Sequence, residues 1–137
     1  MHFAYFYPFS YADCQRLLRN IDNAFGSSAD AGAAPGRLRA KARKTGGRDP
    51  AADVYYHREL LAHSLEGRRV ELLTITSSDG KSEDSDREAA IEGGLFPEGC
   101  PRPHRFQGKP AVFVSARVHP GETAASYMLH GFVAFLL

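Results

Sequence analysis

Ala111-Val112-Phe113-Val114-Ser115-Ala116-Arg117-Val118 runs directly into His119-Pro120-Gly121-Glu122-Thr123. The first eight residues are mostly apolar, the composition of a strand covered on both faces in a parallel or mixed sheet. Gly108-Lys109-Pro110 leads into that run. From Glu122 to Leu137 the sequence is helical in pattern and apolar nearly all round, which points to an interior helix. A buried strand passing into a buried helix is the unit of an α/β fold. The chain is therefore expected to build a mixed, largely parallel sheet flanked by helices.

Working back toward the start, Glu59-Leu60-Leu61-Ala62-His63-Ser64 and Arg69-Val70-Glu71-Leu72-Leu73-Thr74-Ile75-Thr76 flank Leu65-Glu66-Gly67-Arg68. Two β-compatible runs around a glycine-containing turn predict a hairpin. Residues 77–104 are polar and rich in turn formers, and read as a long loop with one helical turn around Arg87 to Ile91. Residues 10–25 predict a helix. Ser10 can cap it, Asp13 supplies negative charge in its first turn, and Cys14, Leu17, Leu18, Ile21 and Phe25 share one face. Before it, Phe3 to Tyr11 is dense in aromatics and reads as extended. Residues 26–53 differ in kind: Gly, Ala and Ser, then Arg37, Arg39, Lys41, Arg43, Lys44 and Arg48. With no hydrophobic period to offset the entropy of ordering, this segment is expected to be a disordered basic insertion.

Composition excludes several classes of function. The chain has 137 residues, 17 basic against 16 acidic, for a formal charge of +1. No overall field favours nucleic acid or an anionic membrane, and neither is expected as a partner. The basic run could dock an anion, but no aromatic is interleaved in it for base stacking. Cys14 and Cys100 form no CxxC pattern, which fits a reducing compartment better than a disulfide framework. The first residues lack a basic stretch and a cleavage site of the secretory kind. The apolar run from Ala124 to Leu137 is shorter than the ~20 residues that span a bilayer. A cytoplasmic location is expected. The run also ends on apolar residues, with no Gly, Asn, Lys or Pro to close the helix, so the domain is expected to be truncated at Leu137.

His119 and Glu122 carry the chemistry. They place an imidazole and a carboxylate three positions apart where the strand-like run turns into a helix. Catalytic zinc takes three protein ligands and keeps a fourth position open for water, and two histidines with a glutamate is one of its usual sets. Pro120 fixes φ and Gly121 allows a sharp turn, so the two side chains can converge. Ligands of open α/β sheets gather beyond the carboxyl ends of the strands, where this motif lies. The same spacing also suits a structural role, with His119 closing a strand and Glu122 favouring the first turn of a helix. Spacing alone leaves both open.

The segment Val118 to Thr123 resembles the zinc motif of the carboxypeptidase A-like metallopeptidases, in the His-Pro-Gly-Glu form of the cytosolic carboxypeptidases. The likeness extends through Tyr5 to Gln15, Tyr55 to Leu61, Ser64 to Val70, Leu73 to Ser77, Pro101-Arg102-Pro103 and Arg105-Phe106, in the family's order. It covers nearly the whole chain outside residues 26–53. The resemblance implies that residues 1–137 are an incomplete carboxypeptidase-like domain, and that His119 and Glu122 are zinc ligands. It implies removal of glutamates, branch-point glutamates included, from polyglutamylated tubulin or another glutamate-terminated protein, and hence a cytoskeletal association. The family's second histidine ligand, its glutamate base and its carboxylate-binding arginines would lie beyond Leu137, so no catalytic base is assigned within the chain. If made as 137 residues, the chain is expected to bind zinc weakly and not to hydrolyse peptides. The alternative is a non-catalytic tubulin-associated or anion-docking fragment.

The remaining candidates read as structural. His57 and His63 lie in or beside the hairpin. His130 falls about two helical turns past Glu122, too far to join it. Cys100 has no base nearby. Arg117 adjoins the metal motif and could meet an anion, but a structural partner fits it better.

Overall fold

The computed structural model describes residues 5–25, 54–83, 86–89, 91, 95–97 and 102–137. The element order is α1 (Tyr11–Phe25), β1 (Val54–His63), β2 (Arg69–Ser77) and α2 (Thr123–Leu136). The expected insertion over 26–53, and Cys100, lie outside the described residues. Packing divides the chain into two units: Met1–Asp22 with Pro110–Leu137, and Asn23–Lys109.

In the first unit, α1 begins as its sequence predicts. The Asp13 amide donates to Ser10 Oγ at 3.2 Å, and the Ser10 amide donates back to Asp13 Oδ2 at 2.9 Å. This reciprocal cap satisfies two of the donors that a helix start leaves unpaired. The Ser10 hydroxyl, its amide and the Arg16 guanidinium hold the Asp13 carboxyl below the usual carboxylate range. Leu18 and Ile21 are the buried residues of the helix, on the face that the periodicity marks.

The second unit is built on an antiparallel hairpin. β1 and β2 pair from Val54↔Ser77 to His63↔Arg69, with a bulge between Leu60 and Ala62. The bulge leaves the Leu61 carbonyl to accept the Phe96 amide at 2.8 Å. The turn at Ser64–Arg68 closes through Gly67, whose φ of 72° suits glycine. Tyr56 and Leu60 are buried on β1 together with His57 and Glu59. Beyond the hairpin the chain runs back on itself, with isolated antiparallel bridges Lys81↔Phe106 and Arg87↔His104. Among the described residues the helical turn expected around Arg87 to Ile91 is not seen: Arg87 is held in an antiparallel bridge, and its guanidinium donates to the Arg102 carbonyl at 2.7 Å. The Lys109 ammonium donates to the Ser77 carbonyl and to the Thr76 and Ser77 hydroxyls, fastening the end of β2.

Three expectations need correction. The sheet among the described residues is a single antiparallel pair, and no parallel strand is present among them. Residues 111–118, expected as a buried strand, pair with no strand among the described residues. Val112 is 85% exposed, Phe113 77% and Val118 77%. A run apolar on both faces needs neighbours on both sides, and the described residues supply neither. The same holds for α2. Its expected interior position is not observed: Val133 is its buried residue, while Met128 and Phe135 stand 76% and 84% exposed.

Candidate metal centre

The segment from Arg117 to Thr123 sits wholly within the first unit, between the extended run and α2. It is a compact turn. The Glu122 amide donates to the His119 carbonyl at 3.1 Å, and the Thr123 amide to the Gly121 carbonyl at 2.9 Å. Glu122 stands at the start of α2 without a side-chain cap, so its carboxylate is not consumed by the helix end. The turn brings the two sequence-predicted residues together: His119 Nδ1 stands 2.8 Å from Glu122 Oε1. Both side chains are open to solvent, at 76% and 54% exposure. An exposed pair of this kind adds little to stability, about 0–1 kcal/mol. Its geometry is more informative than its energy.

The donor set suits zinc. An imidazole nitrogen and a carboxylate oxygen are both ordinary zinc ligands, and here they meet at the surface in a direct hydrogen bond. No packed side chain has to move for an ion to reach them. They form half of a centre: among the described residues no group of three His, Cys, Asp or Glu side chains converges. An open cavity beside Glu122 is lined by Tyr5, Phe6, Gly121, Thr123 and Ala125, largely apolar in character.

Gly121, expected to allow a sharp turn, does so without left-handed backbone. That conformation falls on Arg117, with φ of 59°, and nothing lies within 4 Å of where a Gly121 Cβ would stand. Arg117 is pinned. Its Nε and Nη2 donate to the Pro120 carbonyl at 3.1 and 3.0 Å, and its Nη1 donates to the Phe9 carbonyl. The structural partner expected for Arg117 is therefore a pair of backbone carbonyls. Sequence reading missed which ones; an arginine inside an otherwise apolar run was the available signal.

His57 is buried in the second unit and stacks on Tyr55, with ring centroids 6.3 Å apart. His63 is exposed at the end of β1, and His130 is half-buried on α2. A second polar group was not anticipated at all. Glu59 is buried, and its carboxylate lies 3.1 Å from the Arg102 guanidinium. Burial pushes the Glu59 carboxyl above its ordinary range, against the pull of Arg102. Arg102 in turn covers the Phe96 ring at 3.3 Å. No part of that cluster resembles a ligand set, and it reads as internal structure of the second unit.

Comparison with known proteins agrees with the motif. The family model described as zinc carboxypeptidase matches residues 55–137. Cytosolic carboxypeptidase-like protein 5 of Rattus norvegicus is 47% identical over 136 residues, which is 98% of this chain and 14% of that protein. The protein of the same name from Danio rerio is 43% identical over 137 residues, covering 99% of the chain and 14% of the relative. Cytosolic carboxypeptidase 1 of Homo sapiens is 27% identical over 136 residues, covering 99% of the chain and 8% of the relative. The chain thus spans about one-seventh of the length of the first relatives it matches. With more than half of its residues inside the family model, the chain belongs to the zinc carboxypeptidase family.

Proposed function

We propose that this chain is part of a zinc metallocarboxypeptidase in which His119 and Glu122 are two of the protein ligands to the metal. The observation that carries the reading is the approach of His119 Nδ1 to Glu122 Oε1 at 2.8 Å, on an exposed turn. Bound zinc would supply an acidified water and polarise the scissile carbonyl. The chain's own residues orient that chemistry: His119 and Glu122 offer one nitrogen and one oxygen donor, and the turn from Val118 to Thr123 holds both on one side.

In the intact protein the substrate is a glutamate-terminated chain, including the branch-point glutamates of polyglutamylated tubulin. This assignment is supported by the likeness to cytosolic carboxypeptidase-like protein 5 and by the motifs shared with the cytosolic carboxypeptidases. The names of those relatives also support a cytosolic location, and action on tubulin would bring the protein to the cytoskeleton. No helix among the described residues is long and apolar enough to cross a membrane. Taken alone, residues 1–137 bind zinc weakly and do not turn over substrate. Two ligands give too little binding energy to hold the ion against water.

The test uses the full-length protein that contains this chain. Elemental analysis should find one zinc per molecule, and glutamate should be released from polyglutamylated tubulin. His119→Ala and Glu122→Ala should each lose zinc and glutamate release together. Full zinc content in both variants would remove the ligand assignment. Zinc content without glutamate release from any glutamate-terminated chain would remove the substrate assignment and leave the metal centre standing.

A further inference from the structure

Arg117 is one of two non-glycine residues with left-handed backbone among the described residues, the other being Phe96. It lies two positions before His119. A conformation that L-residues avoid persists only where the surroundings over-determine it. Here the surroundings are three N–H donors of its own guanidinium. Nε and Nη2 both reach the Pro120 carbonyl, and Nη1 reaches the Phe9 carbonyl.

Pro120 stands between the two candidate ligands, so fixing its carbonyl fixes the Pro120–Gly121 peptide plane in the middle of the turn that joins them. Little else does so. Gly121 has no side chain and no neighbour where one would be. His119 and Glu122 are exposed, so packing does not orient them. Two backbone hydrogen bonds close the turn, and the guanidinium is the side chain that holds it from outside. A planar fork with fixed donors suits this task, because one group can bind two oxygens without losing several rotamers.

We propose that Arg117 is a positioning residue for the metal pair. By gripping the carbonyls of Pro120 and Phe9, it pre-sets the turn in which His119 and Glu122 meet. The proposal rests on the reading of those two residues as zinc ligands. Arg117 touches neither zinc nor substrate; it removes the entropy loss that a free glycine-containing turn would suffer when an ion binds.

The experiment uses the full-length protein, with zinc alone as probe and its affinity read by competition against a chromophoric chelator. Arg117→Gly removes the guanidinium while leaving a backbone free to keep the same φ, so it separates the side chain from the strain. It should weaken zinc binding roughly tenfold or more, the scale seen when groups supporting metal ligands are lost. The metal-free protein should lose proportionally less stability than zinc affinity falls, since two of the three donated bonds lie on the exposed turn. Arg117→Lys, whose ammonium lacks the fork, should give a smaller loss of about threefold. Zinc affinity unchanged in Arg117→Gly would overturn the proposal. So would a loss that tracks an equal fall in metal-free stability. If Arg117→Gly does not fold, Arg117→Lys decides the matter by the same criterion. His119→Ala distinguishes the two levels: loss of zinc there with full affinity in the Arg117 variants sinks the positioning role alone, whereas retention of zinc there sinks the ligand reading on which that role rests.

Discussion

The Tyr127 hydroxyl donates to the Pro8 carbonyl at 2.8 Å, joining α2 to a segment 119 positions earlier in the chain. The Tyr127 ring also meets Phe9 edge-on, with centroids 5.2 Å apart, and Phe6 at 6.1 Å. The next carbonyl along, that of Phe9, is taken by Arg117. The Pro8–Phe9 pair is thus held from both sides of the His119–Glu122 turn: by a residue before it and by a residue on the helix after it. A short aromatic segment at the front of the chain becomes the anchor for a motif near its end.

Tyr127→Phe keeps the ring contacts and removes only the hydroxyl. A neutral hydrogen bond of this kind contributes about 0.5–1.5 kcal/mol, so amide exchange at Phe9 and Ser10 in the full-length protein should speed up roughly two- to tenfold. Arg117 keeps its own bonds in this variant, and zinc affinity should hold. Exchange rates equal to wild type would show that the hydroxyl does not tether the segment.

The hairpin carries an acid-sensitive lock. Glu71 Oε1 accepts from Arg58 at 2.8 Å and from Arg69 at 2.7 Å, with its side chain only 6% exposed. Burial alone would raise the Glu71 carboxyl, but hydrogen bonds and charge from the two arginines outweigh it and leave the carboxyl below its ordinary value. A lowered folded value means that the stabilisation is complete above the unfolded value, about 4.3, and drains away as pH falls through the folded one. Hydrogen exchange of the hairpin amides, corrected for intrinsic rates, should show local stability falling below about pH 4.5. Glu71→Gln should remove about 1.5–3 kcal/mol at pH 7 and flatten that acid limb. Glu59 works in the opposite sense. Its raised carboxyl contributes fully below the unfolded value and loses that contribution as pH rises through the folded one, so Glu59→Gln should remove a fall in stability toward neutral pH.

Glycines 67 and 80 share a left-handed φ, 72° and 69°, yet they should differ in their tolerance of a side chain. At Gly67 an added Cβ meets nothing within 4 Å; at Gly80 it meets the Gln107 carbonyl oxygen at 3.2 Å. Gly67→Ala should cost only the backbone strain, about 1 kcal/mol. Gly80→Ala should cost about 1 kcal/mol more, because backbone must shift to relieve the contact. It should also weaken the bond from the Gln107 amide to the Gly80 carbonyl, now 3.1 Å, which amide exchange at Gln107 would report. Equal costs at the two sites would contradict this account.

Local signals carried the legible part of the fold. Ser10 and Asp13 announce the start of α1 because a cap is a contact between near neighbours. The hairpin is legible for the same reason, its turn and both its runs lying within one stretch of sequence. His119 and Glu122 were legible as a pair because three positions across a turn suffice to bring them together. What failed was inference about burial. Residues 111–118 and α2 have the composition of interior elements, but composition cannot say whether the covering partner is present among the residues at hand. The grip of Arg117 on Phe9, over a separation of 108 positions, was not legible either. An arginine that binds backbone carbonyls leaves no partner residue type in the sequence to find.

The uncovered surface of the first unit makes its own prediction. Val112, Phe113, Val118, Met128 and Phe135 are each more than three-quarters exposed. Soluble monomers seldom leave so many large apolar side chains in water without association. Residues 1–137 produced alone should therefore self-associate at micromolar concentration, seen as light scattering or as early elution in gel filtration. They should also bind a hydrophobic dye. Phe113→Glu with Phe135→Glu removes two of the most exposed rings without touching the buried Val133 or the Arg117 grip. That double variant should shift the population toward monomer and lower dye binding several-fold. A wild-type 137-residue chain that stays monomeric and binds no dye would mean that these side chains already have partners within it.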